Sequence, residues 1–196
     1  MLAVTSCLLT ATAQARDTVL VLGDSISAAY GMQLEQGWVS LLDARLQKEQ
    51  PMYRVINASI SGETSGGGLR RLPDLLSEHA PKVVIIELGG NDGLRGYPVK
   101  QLRENLKQLI RLSEEAAAQV LLLPMEIPPN FGKFYTDAFR ASFTEATENS
   151  TAILAEFPLA SVALETTLMQ TDGIHPTAEA QPIILESVWQ TLESML

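Results

Sequence analysis

Ser25 stands where an apolar run, Thr18-Val19-Leu20-Val21-Leu22, gives way to Gly23-Asp24 and a turn. A serine hydroxyl is a weak nucleophile until a base takes its proton, and histidine is the side chain suited to that near neutrality. The sequence holds only two histidines. His79 closes an amphipathic pattern in Ser77-Glu78-His79-Ala80-Pro81, just before a strand-like run. That is the wrong end of a sheet for Ser25, and His79 reads as a solvated helix-terminal residue favoured by the helix dipole. His175 lies in Asp172-Gly173-Ile174-His175-Pro176, with Asp172 one turn of chain away. A carboxylate at that spacing can reach the imidazole, fix its tautomer and stabilise the imidazolium. Ser25, Asp172 and His175 therefore form a possible nucleophile–acid–base set, although Asp-Gly-Ile-His alone also fits a turn followed by a helix cap. Oxyanion donors are available as well. The Ser25 N–H lies near a helix-like turn, Gly62 lets its backbone approach closely, and Asn91 in Gly89-Gly90-Asn91-Asp92 carries an amide. Each of the last two also fits an ordinary tight loop.

Four apolar runs must position these residues: 18–22, 53–58, 82–88 and 119–123, with a weaker fifth near 159–164. They are continuous rather than alternating, which indicates burial on both faces, as in a parallel sheet covered by helices. Helical periodicity fills the intervals over 38–48, 69–79, 99–118, 135–155 and 178–196. This alternation predicts a three-layer α/β/α domain with right-handed crossovers and about five parallel strands. Ligands of such a sheet bind at the carboxyl ends of the strands. Ser25, Gly62, Asn91 and the Pro124–Phe131 loop all follow strands and share that rim, which the His175 loop joins.

Composition narrows the chemistry. With 14 Lys+Arg against 23 Asp+Glu the formal charge is -9, which argues against nucleic acid as a partner. One Cys excludes an intrachain disulfide and a Cys-rich metal site. Two His leave too few ligands for a dinuclear metallophosphatase, although Gly-Asp and Gly-Asn-Asp fragments occur in such enzymes. A non-catalytic anion-binding module using the Gly23-Asp24-Ser25 loop leaves Asn91, Asp172 and His175 without a purpose. The α/β-hydrolase fold is disfavoured by the lack of a Gly-x-Ser-x-Gly elbow.

Taken together, Gly23-Asp24-Ser25-Ile26, Gly62, Gly89-Gly90-Asn91-Asp92 and Asp172-Gly173-Ile174-His175-Pro176 resemble, in order, the four blocks of the SGNH (GDSL) hydrolases. The likeness runs from residue 18 to about 190. Asn57–Ser65 and Glu87–Gly96 look like the bacterial periplasmic branch of multifunctional thioesterases, proteases and lysophospholipases. Ile26 replaces the Leu of the motif, a mild apolar exchange. The resemblance implies a flavodoxin-like sheet of five parallel strands. It implies Ser25 as nucleophile, Asp172 and His175 as its partners, and Ser25, Gly62 and Asn91 as the oxyanion hole. It further implies hydrolysis of fatty acyl esters and thioesters, with arylesterase or carbohydrate O-acetylesterase activity as the alternative within the same fold. No cofactor or metal is called for, and the substrate is a small acyl ester or thioester.

Other residues of the rim carry expectations. Asp24 orients the turn through backbone bonds. Glu87, a carboxylate in an apolar strand, is expected to be satisfied at the strand's end. Leu94, Tyr97 and Pro98 lie in a loop that, in the resembling branch, moves over the acyl chain, but it equally fits an ordinary strand–helix connection; Ile127 and Phe131 could line an acyl pocket or simply pack at the surface. Residues 1–15 carry no charge and end in Ala13-Gln14-Ala15, a small-x-small pattern. They read as the remnant of a signal peptide, ahead of a single domain over 16–196. No later run is long enough to span a membrane. A periplasmic or secreted monomer is expected.

Overall fold

A computed structural model describes residues 16–196; the signal-peptide reading of residues 1–15 lies outside them. Five strands form one parallel sheet: β1 (Asp17–Gly23), β2 (Tyr53–Asn57), β3 (Val83–Glu87), β4 (Gln119–Leu122) and β5 (Ile153–Leu154), in the order β2-β1-β3-β4-β5. The central strands explain themselves. Val19 to Leu22 and Val83 to Ile86 are fully buried, and β-branched and leucine side chains suit a surface covered on both faces.

Among the described residues six α-helices clothe the sheet: α1 (Trp38–Glu49), α2 (Ser65–His79), α3 (Gly90–Leu94), α4 (Val99–Glu115), α5 (Lys133–Thr147) and α6 (Gln181–Leu192). α1 packs on α6, while α4 packs on both α2 and α5. Thr64 caps α2 by accepting the Gly67 N–H, and Ala80 closes it in the left-handed conformation, at φ 40°. The C-terminus is tied to the start of the fold. The Trp38 N–H, an orphan donor of the first turn of α1, is accepted by Gln181 Oε1 at 3.0 Å, and Tyr53 donates its hydroxyl to the Leu196 carbonyl at 2.9 Å.

Three expectations need correction. The fifth strand is Ile153–Leu154, not 159–164. The 159–164 run folds into successive turns, with the Val162 and Ala163 N–H groups both bonding the Leu159 carbonyl. The helix anticipated over 135–155 ends at Thr147, where Asn149 takes φ 61° and the chain turns to give β5. His79 ends α2 just before the amino end of β3, at the opposite end of the strands from Ser25 as expected, but its side chain is half-buried rather than solvated.

β1 and β3 are neighbours, while β1 also pairs with β2 on its other side. The chain order therefore reverses at β1, which opens a crevice at the carboxyl ends of β1 and β3.

Candidate active site

Ser25 follows β1 directly and is half-buried at that crevice. The turn that holds it is built locally: the Ala28 N–H bonds the Asp24 carbonyl, and the Tyr30 N–H bonds the Ser25 carbonyl. Neither the Ser25 N–H nor the Gly62 N–H donates to another group among the described residues, so both are free to bind an anion.

His175 arrives from the far end of the chain on a small hairpin. Met169 and Pro176 form an antiparallel bridge, the Gln170 N–H donates to the His175 carbonyl at 2.7 Å, and Gly173 takes φ 65° at the tip. Asp172 organises the loop and the imidazole together. Its Oδ1 accepts the Ile174 and His175 N–H groups at 2.9 and 3.0 Å, and its Oδ2 lies 2.6 Å from His175 Nδ1. A carboxylate partner at Nδ1 fixes the proton there and leaves the Nε2 lone pair outward. Nε2 stands 2.8 Å from Ser25 Oγ. The His175 backbone N–H, then its ring, then the Ile174 N–H hold the Asp172 carboxyl down at about 2.

Two side chains that sequence reasoning did not single out steady this arrangement. The Tyr30 ring lies against the His175 ring, with centroids 4.4 Å apart. The Gln170 amide donates to the Tyr30 carbonyl at 2.8 Å and to the Pro176 carbonyl at 3.0 Å, strapping the histidine hairpin to the serine turn. Their signal in the sequence is faint, since both sit in turns whose partners are some 140 positions away.

Asn91 lies in the first turn of α3, just beyond the carboxyl end of β3, and its Nδ2 donates to Asp24 Oδ2 at 3.0 Å. The neighbouring Asp92 has a separate task, accepting the Ser65 N–H and hydroxyl at the start of α2. Gly62, on the loop after β2, takes φ 80°, a conformation open to glycine at little cost. That loop is anchored by the Ile60 N–H on the Gly23 carbonyl and by Arg95, which donates to the Gly62 carbonyl at 3.0 Å.

Beneath the turn lie two buried carboxyls. Asp24, 2% exposed, also accepts the Ile26 N–H through Oδ1, so the expected turn-orienting bond is present. Desolvation pushes its carboxyl up to about 6 against the opposing pull of the Ile26 N–H, Asn91 and His175. Glu87 is fully buried, and burial followed by the Asp24 charge raises it well above the usual carboxylate range. Its Oε2 accepts the Asp24 N–H and the Ser27 hydroxyl, but Oε1 has no partner. The expectation of a satisfied carboxylate is thus met at one oxygen only.

A cavity of about 530 Å³ opens beside Ser25, Asn91 and His175. Leu94 and Ile127 line it, as anticipated, together with Met125. Tyr97, Pro98 and Phe131 do not. The Tyr97 carbonyl instead accepts the Tyr135 hydroxyl, and Phe131 stacks on Tyr135. The opposite wall is the segment taken from sequence as a strand: Phe157, Leu159, Ala163 and Leu164 face the cavity. Among the described residues no cluster of His, Cys, Asp and Glu could hold a metal ion.

Comparison with known proteins follows the same lines. A family model described as GDSL-like lipase/acylhydrolase matches residues 21–182. Esterase TesA of Pseudomonas aeruginosa is 50% identical over 182 residues, covering 93% of this chain and 90% of its own. The thioesterase 1/protease 1/lysophospholipase L1 of Escherichia coli K12 is 42% identical over 189 residues, covering 96% and 89%. The psychrotrophic esterase EstA of a Pseudoalteromonas species, solved inhibited by monoethylphosphonate, superposes with a TM-score of 0.87 at 47% identity over 91% of this chain and 97% of its own.

Proposed function

The chain belongs to the GDSL-like lipase/acylhydrolase family, and on that premise we propose that it hydrolyses fatty acyl esters and thioesters through an acyl-enzyme on Ser25. The observation that carries the reading is the 2.8 Å approach of Ser25 Oγ to His175 Nε2 beside a cavity of about 530 Å³.

Ser25 Oγ attacks the acyl carbonyl while its proton passes to Nε2. Asp172 holds the imidazole in the needed tautomer and balances the imidazolium that forms. The tetrahedral oxyanion rests on the Ser25 and Gly62 N–H groups and the Asn91 amide, which stabilise charge as it develops. Nε2–H then protonates the departing alcohol or thiolate. Water, deprotonated by the same imidazole, attacks the acyl-enzyme and releases the acid.

Leu94, Met125, Ile127 and Phe157 offer the acyl chain an apolar bed far larger than an acetyl group needs, which favours fatty acyl over O-acetyl substrates. Two of the relatives are named an esterase and a thioesterase/lysophospholipase. A charge of -9 supplies no steering toward the anionic coenzyme A moiety, so carboxylic esters and lysophospholipids are the preferred substrates, with thioesters cleaved when offered. All of this machinery comes from one chain, in keeping with a monomer. The Ala13-Gln14-Ala15 pattern supports export to the periplasm or beyond. No helix among the described residues is long and apolar enough to cross a membrane.

The test is a panel of p-nitrophenyl esters, lysophospholipids and acyl-coenzyme A thioesters of graded chain length, with wild type and Ser25→Ala. Wild type turns over medium to long chains, is labelled by a fluorophosphonate and is indifferent to EDTA; Ser25→Ala loses both activity and label. Activity abolished by EDTA in a protein that takes no label overturns the reading.

A further inference from the structure

Asp24 joins the two segments of the rim and holds the Asn91 amide. Its Oδ1 accepts the Ile26 N–H of the serine turn at 3.1 Å, and its Oδ2 accepts Asn91 Nδ2 at 3.0 Å. Both oxygens are therefore committed, one to each segment. An ionised carboxylate is acceptor-only at both oxygens, whereas an amide must turn its NH₂ toward one of these two donors and a protonated acid is a weaker acceptor at its hydroxyl oxygen. The Asn91 amide is planar, so fixing one of its N–H groups on Asp24 directs the other away from Asp24, toward the cavity that Asn91 lines.

The charge is kept on Asp24 by its neighbours. Glu87 faces it from β3, its Oε2 accepting the Asp24 N–H at 3.2 Å. Two carboxyls so close and so buried do not both ionise. Glu87, with one oxygen lacking any partner, is the one that keeps the proton. His175, from the C-terminal hairpin, is the other titratable group facing Asp24. The remaining contacts are the uncharged Ile26 N–H and Asn91 amide.

We propose that Asp24 is a positioning residue for hydrolysis: its carboxylate, held charged above a protonated Glu87, points the Asn91 amide at the developing oxyanion. The proposal rests on the reading of Asn91 as an oxyanion donor. Asp24 acts through Asn91 and in the transition state only, so its loss lowers kcat and leaves KM nearly unchanged. Its carboxyl is pushed up to about 6, so mild acid neutralises it and loosens its hold on Asn91.

A double-mutant cycle on a p-nitrophenyl ester tests this. Asn91→Ala lowers kcat by roughly 10²–10³; Asp24→Asn lowers it by a smaller factor; the double variant is no slower than Asn91→Ala alone. Losses that multiply overturn the proposal and leave the hydrolase reading standing. An unchanged kcat in Asn91→Ala removes the donor itself and overturns both the proposal and that part of the reading. Should Asp24→Asn fail to fold, the acid limb of kcat against pH decides the matter with wild type and Asn91→Ala alone. It is steeper in wild type, where protonating Asp24 adds to the loss, than in Asn91→Ala, where no amide is left for Asp24 to aim. Limbs of equal steepness overturn the proposal.

Discussion

Asp24 and Asp172 flank one serine–histidine pair, yet the first is 2% exposed with its carboxyl pushed up to about 6, while the second, its side chain 39% exposed, is held down at about 2. The two carboxyls differ in what surrounds them. Asp172 collects three bonds from just two residues of its own hairpin, Ile174 and His175, so its environment is local. Asp24 collects its bonds from two segments and stands over Glu87, so its environment belongs to the sheet. An acid on a self-contained turn can serve chemistry at little consequence for folding. An acid rooted in the core serves both at once, and altering it disturbs both.

The largest break in that contrast comes from Asp172→Asn. With the hairpin largely retained but the tautomer no longer fixed, kcat falls by roughly 10⁴, while the melting temperature, followed by circular dichroism, moves by only a few degrees. A large loss of stability would put Asp172 in the same class as Asp24. Glu87→Ala is next. It strips acceptors from the Asp24 N–H and the Ser27 hydroxyl and leaves a cavity, for a loss of about 3 kcal/mol in urea unfolding. Glu87→Gln keeps an acceptor in place and is close to neutral at low pH. A carboxyl whose folded value is raised stabilises below its ordinary value, and that stability is lost as pH climbs through the raised one. Glu87→Gln should therefore gain on wild type as pH rises from the ordinary carboxylate range up through the raised value; a constant difference would mean that Glu87 does not hold its proton. Asp172 has the opposite sign, its small contribution fading only as pH falls from the ordinary carboxylate range toward about 2. Smallest of all, Gln170→Ala frees the hairpin from the serine turn and lowers kcat by roughly 10-fold through misplacement of His175. An undiminished kcat would show that the Asp172 turn positions the imidazole without help.

Much of this was legible in the chain. Val19–Leu22 and Val83–Ile86 announce buried strands because continuous apolar runs leave no solvent face. The order of Ser25, Gly62, Asn91, Asp172 and His175 suffices to place them on one rim. β5 was missed because a two-residue strand carries almost no periodicity, and its Ile153-Leu154 continues the apolar spacing of α5. Residues 159–164 misled for the converse reason. Leu159 and Val162 are apolar for burial beneath turns, and Leu164, 89% exposed, is apolar beside a ligand cavity. The carboxyl pair was visible only as two oddities. The register that sets Gly23 opposite Glu87 joins them, and a side chain at 23 would begin 2.8 Å from Glu87 Oε2. Pairing across strands is long-range information that residue types alone do not carry.

The bond from Trp38 to Gln181 has a consequence for how the molecule comes into being. Synthesis proceeds from the N-terminus, so α1 emerges 143 residues before the side chain that completes its first turn, and Ser25 emerges 150 residues before its base. On the proposed mechanism, every nascent or partly folded form lacking the His175 hairpin carries the nucleophile without the means to activate it. The hydrolase would thus be silent while it is being made, acquiring activity only when that hairpin reaches the serine turn.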